Sequence, residues 1–123
     1  MIIISGKYKN KKLYFPINFK TRPLKDNVRE NIFNILEHSN LINVRIKESN
    51  IMDLYAGSGS FGIECLSRKA SEVTFVENDR DAILNLRKNI KSLKLEKNAF
   101  IYPKNIFNFF KESVSKKSLI YFF

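Results

Sequence analysis

A glycine-rich segment carries the residues best suited to chemistry. It reads Asp53-Leu54-Tyr55-Ala56-Gly57-Ser58-Gly59-Ser60-Phe61-Gly62 and joins a predicted strand to a predicted helix. Glycines allow a tight turn whose backbone approaches a ligand closely, and the helix amino terminus that follows presents free N–H groups. Glu77 ends the next predicted strand, 20 residues after Gly57. A carboxylate there accepts hydrogen bonds from both hydroxyls of a ribose, so the pattern predicts a site for an adenosine-containing cofactor.

Two cofactors fit this pattern. Gly57, Gly59 and Gly62 satisfy the G-x-G-x-x-G motif of dinucleotide-binding folds, and Glu77 has the required spacing. Asp53 favours a different ligand, because an anion beside the loop repels pyrophosphate but attracts the ammonium and sulfonium groups of S-adenosylmethionine. The segment therefore favours the methyl donor. A dinucleotide is the alternative, and a glycine turn without any ligand is the third interpretation.

The elements around the loop alternate between strands and helices. Strands are predicted over 51–55, 73–76, 99–102 and 119–123, and helices over 61–68, 79–93 and 106–114. This alternation is typical of right-handed βαβ units and a mostly parallel sheet.

The preceding segment has a different pattern. Residues 1–15 predict a hairpin of two short strands, and residues 25–37 predict a helix. The predicted apolar face of this helix comprises Val28, Ile32, Ile35 and Leu36. We therefore divide the chain into an N-terminal hairpin and helix, residues 1–48, and the first half of a Rossmann-like domain, residues 49–123.

The charge balance indicates a polyanionic partner. The 123 residues contain 22 Lys and Arg against 12 Asp and Glu, a formal net charge of +10. Residues 1–48 hold 10 basic and 4 acidic residues, a net of +6, whereas residues 49–123 hold 12 and 8, a net of +4. Basic groups that neutralise phosphates release counterions and so favour nucleic-acid binding. A lysine-rich composition caused by an AT-rich genome is the alternative explanation.

Other features point to a cytoplasmic protein. A single cysteine, Cys65, leaves no internal disulfide and suits a reducing compartment. The sequence shows neither a signal-peptide pattern nor an apolar run of membrane-spanning length, so we expect no membrane association. The lone histidine, His38, is expected at a helix end or on the surface rather than in catalysis.

Several separated segments resemble one family. They are Ile3-Ile4-Ser5-Gly6-Lys7-Tyr8-Lys9 with Lys12-Leu13, then Thr21-Arg22-Pro23, Val28-Arg29-Glu30 and Phe33-Asn34-Ile35-Leu36, and finally Gly62-Ile63-Glu64 and Leu66-Ser67-Arg68. In this order and spacing they resemble the RsmD-like methyltransferases, which methylate guanine N2 in bacterial 16S ribosomal RNA. The resemblance covers nearly the whole chain. It implies an α/β class I methyltransferase fold, S-adenosylmethionine as cofactor, no metal, and a monomer acting on ribosomal RNA or the assembling small subunit.

The resemblance also implies roles for residues near the glycine loop. Asp53, Gly57 and Gly59 would contact the methionine end of the donor, and Glu77 would hold the ribose. Asn105 would lie near the adenine, with an exposed helix cap as the alternative. The neighbouring residues Tyr55, Ser58 and Asn78 complete the expected cofactor site.

A second set of residues is expected to face RNA. It consists of Lys7, Lys9, Lys11, Lys12, Arg22 and Arg29. The four lysines fit a hairpin that grips phosphates, and a solvated turn is their alternative. For Arg29 the alternative is an ion pair on the helix surface with Glu30 or Asp26.

One motif of the resembled family does not occur in the sequence. Related enzymes carry an Asp/Asn-Pro-Pro-Tyr/Phe tetrapeptide after the fourth strand, where it orients the target amine and stacks on the flipped base. That tetrapeptide would begin after Phe123. We therefore expect a fragment or frameshift product that is inactive and marginally folded by itself, with the edge of strand 119–123 unpaired. A non-catalytic RNA- or cofactor-binding remnant and completion by a second chain are the alternatives.

Overall fold

In the residues that the structure describes, a four-stranded parallel sheet forms the centre of the protein. The computed structural model describes residues 1–16, 25–42, 44–113 and 121–122. The strands are β1 (Asn50–Asp53), β2 (Glu72–Val76), β3 (Ala99–Tyr102) and β4 (Tyr121–Phe122), and the helices are α1 (Asp26–His38), α2 (Ser60–Ser67), α3 (Arg80–Ser92) and α4 (Ile106–Ser113). The strand order is β3-β2-β1-β4, and all three pairings are parallel. The predicted α/β fold with a parallel sheet is confirmed.

The strand order determines where a ligand can bind. β1 pairs with β2 on one side and with β4 on the other, so the chain runs outward from β1 to β2 and β3 and then adds β4 on the opposite side of β1. Open α/β sheets bind ligands at the carboxyl ends of the strands beside such a reversal. The glycine loop, the segment from Asp53 to Gly62, begins where β1 ends.

The two predicted parts of the chain share one hydrophobic core. Ile51 and Val73 from the sheet belong to the same buried cluster as Leu86 of α3. Ile3 and Phe33, from the N-terminal segment, belong to that cluster too. Residue 48 therefore marks a change in sequence pattern but no break in the core. No helix in the described ranges is long and apolar enough to cross a membrane.

The first helix is rotated relative to the prediction. Val28 and Ile35, expected inside, are 40% and 54% exposed, whereas Arg29 and Phe33 are fully buried. Phe33 is held inward because its ring stacks on Phe61, with the centroids 4.8 Å apart. Because buried contacts fix positions 29 and 33, the apolar side chains at 28 and 35 are left at the surface.

The opening segment forms a turn rather than two regular strands in the described residues. Ile2 and Lys12 form an antiparallel bridge, and the Ile3 N–H donates to the Lys11 carbonyl over 2.9 Å. Gly6 has a φ of +86°, and a Cβ there would lie 2.0 Å from the Ser67 carbonyl oxygen. The turn therefore needs glycine where it meets the end of α2.

A buried glutamate attaches this turn to α2. Glu64 is fully buried, and its two carboxylate oxygens accept the N–H groups of Ile4 and Ser5 at 2.8 and 3.0 Å. Arg68 donates from Nε to the same carboxylate over 2.9 Å and from Nη1 to Glu37 of α1 over 2.9 Å. One charged chain of contacts thus joins the turn, α2 and α1.

We expect Glu64→Ala to lower the free energy of unfolding by about 3–5 kcal/mol, because it leaves two backbone donors and the Nε of the buried Arg68 without an acceptor. Urea denaturation followed by circular dichroism measures the change. Glu96→Ala, at an exposed position, is the control and should stay within about 0.5 kcal/mol of wild type. Equal stability of the two variants would show that Glu64 does not hold the turn.

Candidate cofactor site

Asp53 lies at the point where β1 meets the glycine loop. Its carboxylate is 3% exposed, and Oδ2 accepts the N–H of Gly62 in the first turn of α2 over 3.1 Å. Burial raises the pKa of Asp53 to about 7, the Gly62 hydrogen bond opposes that rise, and the charge of Glu77 adds to it. The site therefore contains a carboxylate whose charge depends on pH in the neutral range.

Glu77 connects the glycine loop to the end of β2. Its Oε1 accepts the Gly57 N–H over 2.9 Å, and its Oε2 accepts the N–H groups of Asn78 and Asp79 at 3.0 and 2.8 Å. A carboxylate offers about four acceptor positions, so these contacts leave about one for a ligand. The side chain is half-buried and remains accessible from solvent.

The three loop glycines serve different purposes. Gly57 has a φ of +57°, and a Cβ there would meet nothing within 4 Å. At Gly59, with a φ of +92°, a Cβ would lie 2.4 Å from Leu86 Cδ1, and at Gly62 it would lie 2.3 Å from the Phe75 ring. Gly59 and Gly62 therefore permit close packing of the loop and α2. Gly57 alone of the three faces open space.

A cleft of about 180 Å³ lies beside the ends of β1 and β2. It brings together four of the predicted cofactor residues, namely Tyr55, Glu77, Asn78 and Asn105. Leu54, Lys104, Ile106 and Phe107 complete its lining. The aromatic rings of Tyr55 and Phe107 are 73% and 75% exposed, so the cleft has two flat apolar surfaces available to a ligand.

Two of the predicted residues also have structural roles, because Ser58 lies beneath the loop and Asn105 caps α4. Ser58 is buried, and its carbonyl accepts from the side chain of Asn89 on α3 over 2.8 Å. Asn105 Oδ1 accepts the N–H of Asn108 over 2.9 Å and so caps α4, the alternative considered for it. This cap uses the amide oxygen, whereas an adenine contact would use the nitrogen of the same amide.

Asn89 is a site residue that sequence reasoning missed. Its buried amide donates to the carbonyls of Ser58 and Tyr14 at 2.8 and 3.0 Å, and its oxygen accepts the Tyr14 N–H over 2.6 Å. It thereby fixes the glycine loop against the N-terminal segment. The available signal was its position seven residues after Ala82 and three after Leu86, on the apolar face of α3, where a polar side chain needs buried partners.

The hairpin lysines expected to bind RNA are at the surface. Lys7, Lys9, Lys11 and Lys12 are all exposed. The Lys7 N–H donates to the carbonyl of Ser67 at the far end of α2, so Lys7 lies about 12 Å, one length of this helix, from the glycine loop. Arg22 lies outside the described residues.

Arg29 was expected to face RNA, and the structure places it in the interior instead. Its side chain is fully buried, and its guanidinium donates to the Ile2 carbonyl and pairs with Asp26. Burial lowers the pKa of Arg29 from its ordinary value. A guanidinium enclosed in this way offers no surface to a phosphate, so Arg29 acts in packing α1 against the opening turn. The ion pair with Asp26 was the alternative considered for it.

The fold and the loop geometry define a class I, Rossmann-like methyltransferase domain. Among solved structures, the chain is similar to the Escherichia coli protein YhhF, a candidate methyltransferase, with a TM-score of 0.73 and 35% identity over 89% of this chain and 55% of that one. The model of the family described as conserved hypothetical protein 95 matches residues 1–122. The chain belongs to this family, the RsmD-like methyltransferases, as the resemblance predicted.

Two curated relatives show how much of the family's length is present. The ribosomal RNA small subunit methyltransferase D of Escherichia coli K12 is 34% identical over 119 residues, covering 97% of this chain and 57% of the relative. YlbH of Bacillus subtilis, a candidate rRNA methyltransferase, is 39% identical over 102 residues, covering 83% of this chain and 52% of the relative. The chain thus spans about half the length of the curated relatives it matches.

Asp53 should make the stability of the protein depend on pH. Its folded pKa of about 7 lies above the ordinary value of 3.8, so the folded chain binds more protons between these values. Stability contributed by the protonated form is complete below about pH 4 and is lost as the pH rises to about 7, on the order of 4 kcal/mol in all. Chemical denaturation of wild type and Asp53→Asn across pH 4–8 measures this. We expect a flatter profile for the variant, and parallel profiles would refute the assignment.

The glycine loop supplies a matched pair of variants. Gly59→Ala should lower the free energy of unfolding by about 2–4 kcal/mol, since the methyl group meets Leu86 in a left-handed conformation. Gly57→Ala should cost only about 1–2 kcal/mol, for the conformation alone. Thermal and urea unfolding distinguish them. If Gly57→Ala were the more damaging, the open space beside Gly57 would not exist in solution.

Proposed function

We propose that this chain binds S-adenosylmethionine through the glycine loop and Glu77, and that a protein containing it methylates guanine N2 of small-subunit ribosomal RNA. The observation that carries the proposal concerns the N–H groups of the loop glycines. Gly57 donates to Glu77, Gly59 to the Ala56 carbonyl and Gly62 to Asp53. A dinucleotide site uses loop N–H groups to hold pyrophosphate, whereas here protein acceptors occupy all three. This arrangement favours a ligand without phosphate.

The charge of Asp53 supports the same ligand. A buried carboxylate beside the loop disfavours a second anion and stabilises a cation. S-adenosylmethionine carries an ammonium and a sulfonium group and supplies an electrophilic methyl group when bound. Because the neighbouring cation favours ionisation, binding should lower the pKa of Asp53 from about 7. Asp53 and Gly57 are the residues proposed to hold the methionine end, beside Gly59.

The cleft supports a position for the adenosine end. Glu77 has one acceptor position free, so accepting both ribose hydroxyls requires it to exchange one of its backbone donors. The exposed ring of Tyr55 and the side chain of Ile106 offer apolar contacts to an adenine. The amide nitrogen of Asn105 is available to donate a hydrogen bond to it. Asn78 and Ser58 complete the proposed contacts.

The proposal that ribosomal RNA is the methyl acceptor is based on the family to which the chain belongs. The Escherichia coli relative is named a ribosomal RNA small subunit methyltransferase, and the net charge of +10 suits an RNA partner. In related enzymes the guanine amine would be oriented by the Asp/Asn-Pro-Pro-Tyr/Phe tetrapeptide. Methyl transfer is therefore proposed for a protein that includes that tetrapeptide. We place it in the cytoplasm, acting as a monomer on ribosomal RNA or the assembling subunit.

Isothermal titration calorimetry with S-adenosylmethionine and its demethylated product tests the cofactor site. We expect Glu77→Gln to weaken binding by about 1.5–3 kcal/mol, because it removes charge-assisted hydrogen bonds to the ribose. Glu96→Gln, which makes the same chemical change at an exposed position away from the loop, should bind like wild type.

Two results would contradict the proposal. Unchanged affinity of Glu77→Gln would remove Glu77 from the site. Tighter binding of NAD than of the methyl donor would establish the dinucleotide alternative.

A further inference from the structure

The second half of α3 presents a basic surface outside the predicted RNA-facing segment. Arg87, Lys88 and Lys91 are exposed on α3, and Lys94 is exposed just after it. We call these four residues the α3 basic face. Within the part of the chain that the structure describes, none of the four forms an ion pair. Glu96 is the one acidic residue in the sequence from 82 to 97.

An aromatic side chain from the N-terminal segment lies against this face. Tyr14 is 55% exposed, and Lys88 Nζ lies 5.6 Å from the centroid of its ring. Tyr14, Lys88 and Lys91 line a cleft of about 280 Å³ together with Ser92. The cleft therefore combines two cations with an accessible aromatic ring.

The position of Tyr14 is fixed by the backbone rather than by its ring. The Asn89 side chain accepts a hydrogen bond from the Tyr14 N–H and donates to the Tyr14 carbonyl. It also donates to the Ser58 carbonyl of the glycine loop. Leu13 is buried while Lys12 and Tyr14 are exposed, as expected when alternate side chains point to opposite sides. Lys12, one of the hairpin lysines, therefore lies on the same side as Tyr14 and adds a cation to this surface.

We propose that Tyr14 and the α3 basic face bind an unpaired segment of RNA, with the lysines on its phosphates and a base stacked on Tyr14. Positively charged grooves with an exposed aromatic ring are how proteins hold single-stranded nucleic acid. The inference rests on the proposed function, because it assigns RNA as the polyanion. Lys88 lies eight residues after Arg80, about 12 Å along α3 from the end nearest the glycine loop. Asn89, the next residue, donates to the Ser58 carbonyl of the glycine loop, so this surface adjoins the loop proposed to hold the cofactor.

The test compares two double variants of the 123-residue chain with equal changes in charge. Lys88→Gln/Lys91→Gln removes two cations from the proposed surface, and Lys47→Gln/Lys111→Gln removes two exposed cations elsewhere. The probe is a fluorescent oligonucleotide with an unpaired loop, taken from small-subunit ribosomal RNA. Its affinity is measured by anisotropy from 50 to 300 mM salt. We expect the first variant to flatten the slope of log affinity against log salt by about 1.4–1.8, and the second to leave it close to wild type.

A second pair of variants tests the aromatic contact. Tyr14→Ala should weaken binding of the oligonucleotide about fivefold or more, whereas Tyr14→Phe, which keeps the ring, should not. Calorimetry with S-adenosylmethionine is run on each variant and should give wild-type affinity, because none of these side chains contacts the glycine loop or the cleft beside Glu77.

The outcomes separate this inference from the proposed function. Equal salt slopes for the two double variants, or absence of RNA binding by wild type, would overturn the inference while leaving cofactor binding intact. Loss of cofactor binding in wild type would instead overturn the proposed function. Binding to phosphatidylglycerol vesicles that Lys88→Gln/Lys91→Gln abolishes, with RNA binding unchanged, would assign the surface to a membrane and refute the RNA partner.

Discussion

The arrangement of the protein depends on a carboxylate that has no contact with water. The Glu64 carboxylate accepts hydrogen bonds from two backbone N–H groups of the opening turn and from the guanidinium of Arg68. Arg68 also donates a hydrogen bond to Glu37. A buried charge is tolerated only when its lone pairs are satisfied, so α2, α1 and the opening turn must meet in one geometry. Helix α2, which carries Glu64, begins at the glycine loop. The position of its first turn at the loop is therefore determined partly by the contacts of Glu64 and Arg68 towards its other end.

The glycine loop shows a division between stability and binding. Gly59 and Gly62 are required because Leu86 and Phe75 pack against them, and both contacts belong to the fold without any ligand. Gly57 has open space beside it and donates its N–H to Glu77. Asp53 destabilises the folded chain when ionised, since its carboxylate is desolvated. A perturbed buried carboxylate of this kind is typical of functional sites, and it fits the cationic ligand proposed above.

The sequence predicted much of the sheet and little of the side-chain network. Strand β3 was predicted with its observed bounds, 99–102, which enclose a short apolar run. The inward face of α1 was predicted wrongly, since periodicity ranks Val28 above Arg29 and cannot show that an arginine has buried acceptors. Asn89 was missed for a related reason. Its partners, Ser58 and Tyr14, lie 31 and 75 residues away, and periodicity does not report contacts at such separations.

The fold also changes the meaning of the charge distribution. Residues 1–48 carry more net positive charge than the rest of the chain, and this difference predicts the RNA-binding surface on the hairpin. Folding places Tyr14 of that part on α3, beside Lys88 and Lys91 of the other. The charge of Arg29 is included in the net charge of residues 1–48, but its side chain is buried. The charge available to a partner is therefore assembled from both halves, and the buried amide of Asn89 joins that surface to the loop proposed to hold the cofactor.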